Sequence, residues 1–426
     1  MSVRRERAIL AAVLLPKMVV DPRDPLGELR ALADTAGAIV VDEVIQQRHR
    51  PDAGTFMGKG KVEELAVLVK AQEADALIFE NDLSPAQIRN VEEIVECKVL
   101  DRSELILDIF ASRARTHEAK LQVEMAQLEY TYPRLTAMWS HLERIVGGSP
   151  AGIGTRGPGE QQLEIDRRIV HRRKSELRRE IDRIQARKQR EVEKRNSDFH
   201  TVGIVGYTNA GKSTLFNTLT DAHVYADDKL FATLDTRTRK WDLGGGDSVM
   251  LSDTVGFVRN LPHHLVASFR ATLEESVQSD LLLVVMDVSD PQVEEHLRTV
   301  REVLKHIEAD DKPQVLLLNK SDLLTDNAEL LIWQSRYPDA MEISAKTGVG
   351  LNRLIEYVRE HATGGNVDLT LRLPMNEGKA MNFIENRATV HDRDYDTTHV
   401  TLKITIGKRQ LDQLKATGAR FDVVEA

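Results

Sequence analysis

Residues 206–213 read GYTNAGKS, preceded by the apolar run TVGIV and followed from Lys212 by the helical period of KSTLFNTLT. The octet matches G-x-x-x-x-G-K-[ST] in the strand–turn–helix context that a phosphate loop requires. Gly206 and Gly211 let backbone amides approach phosphate oxygens, and the helix start presents unpaired N–H groups to negative charge. Tyr207, Thr208, Asn209 and Ala210 make the turn between them. Lys212 is placed to reach the β and γ phosphates, and Ser213, with Thr214 behind it, offers a hydroxyl to Mg2+.

Three further motifs follow in order. The strand VMLSDTVG ends in Asp253, Thr254, Val255 and Gly256, which sets a carboxylate beside Mg2+ and a glycine amide near a γ-phosphate. The strand QVLLLN ends in Asn319, Lys320, Ser321 and Asp322. A carboxylate at Asp322 can accept from guanine N1–H and the 2-amino group, neither of which adenine offers. Ser344, Ala345 and Lys346 form a loop that can back the base. Between the first two motifs lies FATLD, made of Phe231, Ala232, Thr233, Leu234 and Asp235. Thr233 is the candidate to complete the Mg2+ shell and reach the γ-phosphate, with Thr236 and Thr238 standing nearby as alternatives. Ser213, Thr233 and Asp253 are thus the expected Mg2+ ligands, and Lys212, Thr233 and Gly256 the expected catalytic set.

Around this region the pattern changes three times. From Arg7 to about Leu100 short apolar runs alternate with amphipathic segments, as in a parallel sheet carrying helices, and Ser84 before Pro85 is a strong helix start. From Ser103 to about Val146 the spacing predicts one long helix that Pro133 should kink or interrupt. A second helical period runs from Leu163 to Ile184. Between them lies GGSPAGIGTRGPGE, residues 147–160, too glycine-rich for a helix and long for a structureless connection. The two helices predict an antiparallel hairpin with this stretch at its tip. After Gly365 the order strand, helix, two strands, helix predicts a small α+β unit. The expected divisions are 1–112, 113–197, 198–364 and 365–426.

Composition narrows the class. Apolar residues make up 41% and charged residues 29% of 426 residues, and no apolar run approaches the roughly 20 residues that span a bilayer. The N-terminal arginines and apolar run read as a first strand rather than a signal peptide. A single cysteine, Cys97, excludes an intrachain disulfide and fits a reducing compartment, so a cytoplasmic monomer is expected. The net charge of −9 argues against a chain coated in nucleic acid, yet residues 161–195 hold 13 Lys and Arg against 7 Asp and Glu. That helix is either a solvated face or a surface for phosphates. GTFMGKGK, residues 54–61, imitates a second phosphate loop but is one residue short and has no hydroxyl after Lys59. A structural or generic-anion role is expected there over a second nucleotide site.

The third region resembles the small GTPases of the translation-factor-related class, which implies a doubly wound sheet and Mg2+-dependent hydrolysis of GTP to GDP. In the Ras-like pattern a glutamine that orients water follows the DxxG glycine; here that residue is Phe257. Phenylalanine cannot hydrogen-bond water, so slow turnover accelerated by a partner is expected. The N-terminal α/β domain, arginine-rich hairpin, tip with Arg156, Gly157, Pro158, Gly159 and Glu160, and DTVGFV together are similar to the HflX family of ribosome-associated GTPases. That resemblance implies GTP-dependent binding to the large ribosomal subunit and its rRNA, with the tip (Gly154, Arg156, Gly157, Gly159) contacting RNA, and the splitting of stalled ribosomes under stress. The alternative is a nucleotide-binding RNA or assembly scaffold in which hydrolysis is incidental.

Overall fold

The computed structural model describes residues 5–16, 18, 20–146, 158–220, 230–231, 236–244, 247–259, 278–326 and 328–424; for 133–146, 158–167, 188–189 and 191–198 it describes the backbone only. Among the described residues, three sheets and one helical arm account for the architecture.

The first sheet holds β1 (Arg7–Leu14), β2 (Ile39–Gln47), β3 (Ala76–Phe79) and β4 (Lys98–Asp101), all parallel, in the order β2-β1-β3-β4. Its period-two alternation sends Ala8, Leu10 and Ala12 to one face and Ile9, Ala11 and Val13 to the other, so β1 is buried on both sides. Helices α2 (Lys59–Ala71) and α3 (Pro85–Val95) cover one face; α1 (Gly27–Ala36) and α4 (Arg102–Arg113) cover the opposite one. Ser84 starts α3 as expected, its Oγ accepting from Gln87 N while Gln87 Oε1 accepts from Ser84 N.

The helix expected from Ser103 is two. The chain breaks after Arg113, and Thr116 Oγ1 accepts from Ala119 N to start α5 (His117–Val146), which runs past residue 133 without interruption. Helix α6 (Pro158–Asp198) returns antiparallel to it, with Leu121 and Met125 packed on Leu177 and Ile181. Part of the positive charge on α6 is spent on this contact: Arg173 pairs with Glu124 at 2.7 Å and Lys174 with Glu129 at 3.2 Å.

The central sheet has the order β10-β9-β8-β5-β7-β6, from β5 (Thr201–Gly206), β6 (Arg237–Gly244), β7 (Asp247–Asp253), β8 (Leu281–Asp287), β9 (Gln314–Asn319) and β10 (Met341–Glu342). Every pairing is parallel except β6 with β7, an antiparallel edge that the sequence pattern did not reveal. Helices α7 (Lys212–Thr220) and α10 (Leu351–Thr363) fill one face, α8 (Val293–His306) and α9 (Ala328–Arg336) the other, as in a doubly wound fold. The last sheet is antiparallel, β12-β13-β11-β14, built from β11 (Asn366–Pro374), β12 (Thr389–Tyr395), β13 (His399–Gly407) and a short unforeseen β14 (Asp422–Val424). Helices α11 (Gly378–Arg387) and α12 (Lys408–Ala416) complete this α+β unit.

Candidate nucleotide site

The parallel strands of the central sheet end side by side, so the loops after β5, β7 and β9 converge on one crevice. The loop after β5 is the candidate phosphate cradle. Gly211 has φ +94° there, and a Cβ at this position would stand 2.3 Å from Asn319 Nδ2, so a side chain is excluded by both backbone and neighbour. Lys212 is buried, and its Nζ donates to the Tyr207 carbonyl at 2.6 Å. Burial pushes its ammonium down to about 8, opposed by the nearby Asp253 carboxylate. Thr208 Oγ1 is buried without a hydrogen-bond partner among the described residues, as befits a hydroxyl facing a ligand.

Ser213 Oγ donates to Asp253 Oδ2 at 2.8 Å. A hydroxyl and a carboxylate brought together from two loops are the hard oxygen donors that Mg2+ prefers, and the remaining positions are ordinarily filled by water and substrate phosphate. These two residues fit the ion. Thr254 points away, its Oγ1 donating to the Ile204 carbonyl within the sheet. Gly256 lies so close to the cradle that a Cβ would meet Thr208 Cγ2 at 2.7 Å and Lys212 Nζ at 2.9 Å. Phe257 N donates to the Gly206 carbonyl and Phe257 O accepts from Thr208 N, which straps the segment after β7 onto the phosphate loop. The Phe257 ring is 1% exposed, packed in the core rather than facing solvent.

The loop after β9 gives its two polar residues different duties. Asn319 Nδ2 donates to the Ala210 carbonyl at 2.7 Å, and its Oδ1 accepts from Ala345 N at 2.9 Å. It ties the phosphate loop to the Ser344–Ala345 turn. Asp322 is exposed and accepts from Ser344 Oγ at 2.6 Å, which aims its carboxylate. Lys320 adopts φ +63° and pairs with Asp287 at 2.6 Å, while Ser321 N donates to the Ile343 carbonyl and Lys346 is exposed.

Thr233, with 232–235, lies outside the described residues, as do Gly154, Arg156 and Gly157; Gly159 falls in the first turn of α6. Two further expected site residues have side chains committed elsewhere. Phe231 is 2% exposed against the N-terminal unit, its ring edge-on to Phe110 at 4.6 Å, so only its backbone is available to a nucleotide. Tyr207 turns out of the cradle: its OH donates to Glu28 Oε1 at 2.6 Å and accepts from Arg259 N at 2.8 Å, and its ring stacks on His296 at 3.8 Å.

Tyr207 thereby joins a buried charge cluster that sequence reading missed. Arg102, 2% exposed, pairs with Glu80 at 2.8 Å and Glu28 at 3.0 Å, and donates to the Arg259 carbonyl at 3.2 Å. Arg259 faces the same carboxylates at 3.2 and 3.5 Å. Burial pushes Glu80 above the ordinary carboxylate range despite both arginines; burial also opposes ionisation of Glu28, but Arg102, Arg259 and the Tyr207 hydroxyl outweigh it and hold Glu28 below that range. The one signal for this cluster was DRS at 101–103, three polar residues continuing an apolar strand.

The sheet order, the phosphate loop and the Ser213–Asp253 pair define a P-loop GTPase. Family models described as GTP-binding GTPase N-terminal, GTP-binding GTPase Middle Region and 50S ribosome-binding GTPase match residues 23–111, 113–195 and 201–320 in turn. GTPase HflX of Escherichia coli (strain K12) is 45% identical over 358 residues, spanning 84% of this chain and 83% of that one. GTPase HflX of Magnetococcus marinus is 40% identical over 421 residues, spanning 98% and 96%. The chain belongs to the HflX family of GTPases. Among the described residues no helix is long and apolar enough to cross a membrane.

Proposed function

We propose that this GTPase binds the large ribosomal subunit in its GTP state and splits stalled ribosomes, under stress, as a cytoplasmic monomer. One observation carries the reading. Phe231, Val255 and Val258, which flank the candidate Thr233 and Gly256 loops, share a single apolar core with Ala119, Val123, Ala126 and Tyr130 at the root of the helical arm. A displacement of either loop is therefore felt where the arm begins. The family description as a 50S ribosome-binding GTPase supplies the partner.

In this reading Lys212 and the amides of the 206–213 loop hold the phosphates, and Asp322 selects guanine. Ser213, Asp253 and Thr233 hold Mg2+, which when bound neutralises charge on the β and γ phosphates. A phosphate lodged between Lys212 and Gly256 has to part them, because the two nearly touch. Moving Gly256 draws on Phe257, Val255 and Val258, hence on the arm's root. With Phe257 buried, water must be aimed by another group, so turnover is slow until the ribosome is engaged. The tip, with Gly154, Arg156, Gly157 and Gly159, contacts rRNA, and the units divide at 1–112, 113–197, 198–364 and 365–426.

Co-sedimentation with 30S, 50S and 70S particles in GTP, GDP or a non-hydrolysable analogue tests this. Binding to 50S favoured by the GTP-like state is expected; equal binding in all nucleotide states overturns it. Arg156→Ala should keep nucleotide affinity and lose the ribosome-stimulated turnover.

A further inference from the structure

On the side of the G domain away from the N-terminal unit, a cleft of about 670 Å3 separates the central sheet from α11 and α12. Its size suits a nucleotide or drug-sized ligand. One face of α11, with Lys379, Phe383 and Arg387 one turn apart, looks across it toward Phe199 and Lys240.

Three features of the lining converge. The first is charge: Lys240, Lys379, Arg387 and Arg409 stand against Asp247 and Asp280 in a chain whose net charge is −9. Both acids are already engaged, Asp280 Oδ2 accepting from Thr201 N and Oγ1 at 2.8 and 2.9 Å, and Asp247 from Gln410 Nε2 at 3.3 Å. The second is a stacking surface. The Arg387 guanidinium lies 4.9 Å from the Phe383 ring centre and 6.0 Å from that of Phe199. The third is a set of amides, Asn382, Asn386 and Gln413, able to donate and accept; Gln413 Oε1 also accepts from Arg387 Nη1 at 2.9 Å, which fixes the guanidinium.

An acidic peptide would use the cations alone. A nucleotide uses all three features: phosphate against the cations, base on the arginine–aromatic platform, base edge on the amides. We propose that this cleft binds a nucleotide unit, phosphate and base together, at a site separate from the phosphate loop. Two sources share that chemistry, a free mononucleotide and a single-stranded RNA.

The test uses the full chain saturated with GDP, so that the phosphate loop is filled, and needs no ribosome. Anisotropy of a labelled ten-nucleotide single-stranded RNA and calorimetry with AMP are measured on the wild type and two double variants. Arg387→Ala/Arg409→Ala alters the platform; Lys240→Glu/Lys379→Glu changes only exposed residues and keeps the test interpretable if the first variant folds poorly. One probe should bind and weaken about tenfold or more in both variants and with added salt, with GDP affinity unchanged. RNA binding without AMP binding identifies a strand as the source, and the converse a free nucleotide. A 4-thiouridine RNA should crosslink to α11. Binding of neither probe, no loss in Lys240→Glu/Lys379→Glu, or crosslinks confined to α6 would overturn the proposal.

Discussion

The G domain meets its two neighbours in opposite ways. Toward the N-terminal unit the contact has a packed centre, where Phe231, Val255, Val258 and Arg102 are all under 9% exposed and Arg102 pairs with Glu28 and Glu80, beside a cavity of about 440 Å3 lined by Glu28, Tyr207 and Arg259. Toward the C-terminal unit it is a cleft lined by polar side chains, bridged by contacts such as Gln410 to Asp247. The packed side is made from segments flanking the candidate nucleotide loops, and the open side from the beginnings of β5 and β7 and the later part of β6, at the opposite ends of the strands from the candidate site. Nucleotide state should therefore be felt across the first interface and not the second.

The comparison breaks most sharply at Arg102. Arg102→Ala leaves Glu80 buried beside a single, more distant arginine, and is expected to cost about 3–5 kcal/mol in denaturant unfolding. A loss below about 1 kcal/mol would mean that the interface is held by something else. Phe231→Ala removes the ring that sits on Phe110 and should cost about 3 kcal/mol, with GTP turnover altered as well. Were it neutral in both measurements, the packed centre would not be what holds this side.

Smaller effects sharpen the contrast. In the proposed function Lys212 holds phosphate as an ammonium, and burial brings that ammonium down to about 8. Below pH 8 the proton is already present; above it, binding must take one up. GDP affinity should therefore weaken by up to about tenfold per pH unit above 8 by calorimetry, and Lys212→Arg should flatten the profile. An unchanged affinity from pH 8 to 9.5 in the wild type contradicts either the lowered ammonium or its role in holding phosphate. On the open side, Gln410→Ala removes the 3.3 Å bond to Asp247 and the 3.0 Å bond that Gln410 Oε1 accepts from Gly407 N at the start of α12, and should cost about 1–2 kcal/mol, with nucleotide affinity unmoved.

These contrasts follow what could be read from the residues. The phosphate loop, DTVG and NKSD were legible because each is contiguous and sits at the end of an apolar strand, where local geometry alone sets its direction. The β1 alternation and the Ser84–Pro85 helix start were legible for the same reason. The break at residues 114–116 was not, since alanine, arginine and threonine there continue a helical composition and only the Thr116 cap marks the new start. The side-chain partners of Tyr207, Phe231 and Arg259 could not be read, because Glu28, Phe110 and Glu80 lie more than a hundred residues away. No periodicity encodes which distant charge a buried arginine will meet. Phe257 was read as a missing water ligand; the structure adds that its backbone straps two nucleotide loops together.

Asn319 holds the Ala210 carbonyl with one end of its amide and the Ala345 amide with the other. The phosphate loop and the Ser344–Ala345 turn are thus stitched into one piece. If the two sides hold phosphate and base as proposed, a bound nucleotide should leave both together rather than one end first. A carboxamide that need never touch the nucleotide would then bear on how long it stays.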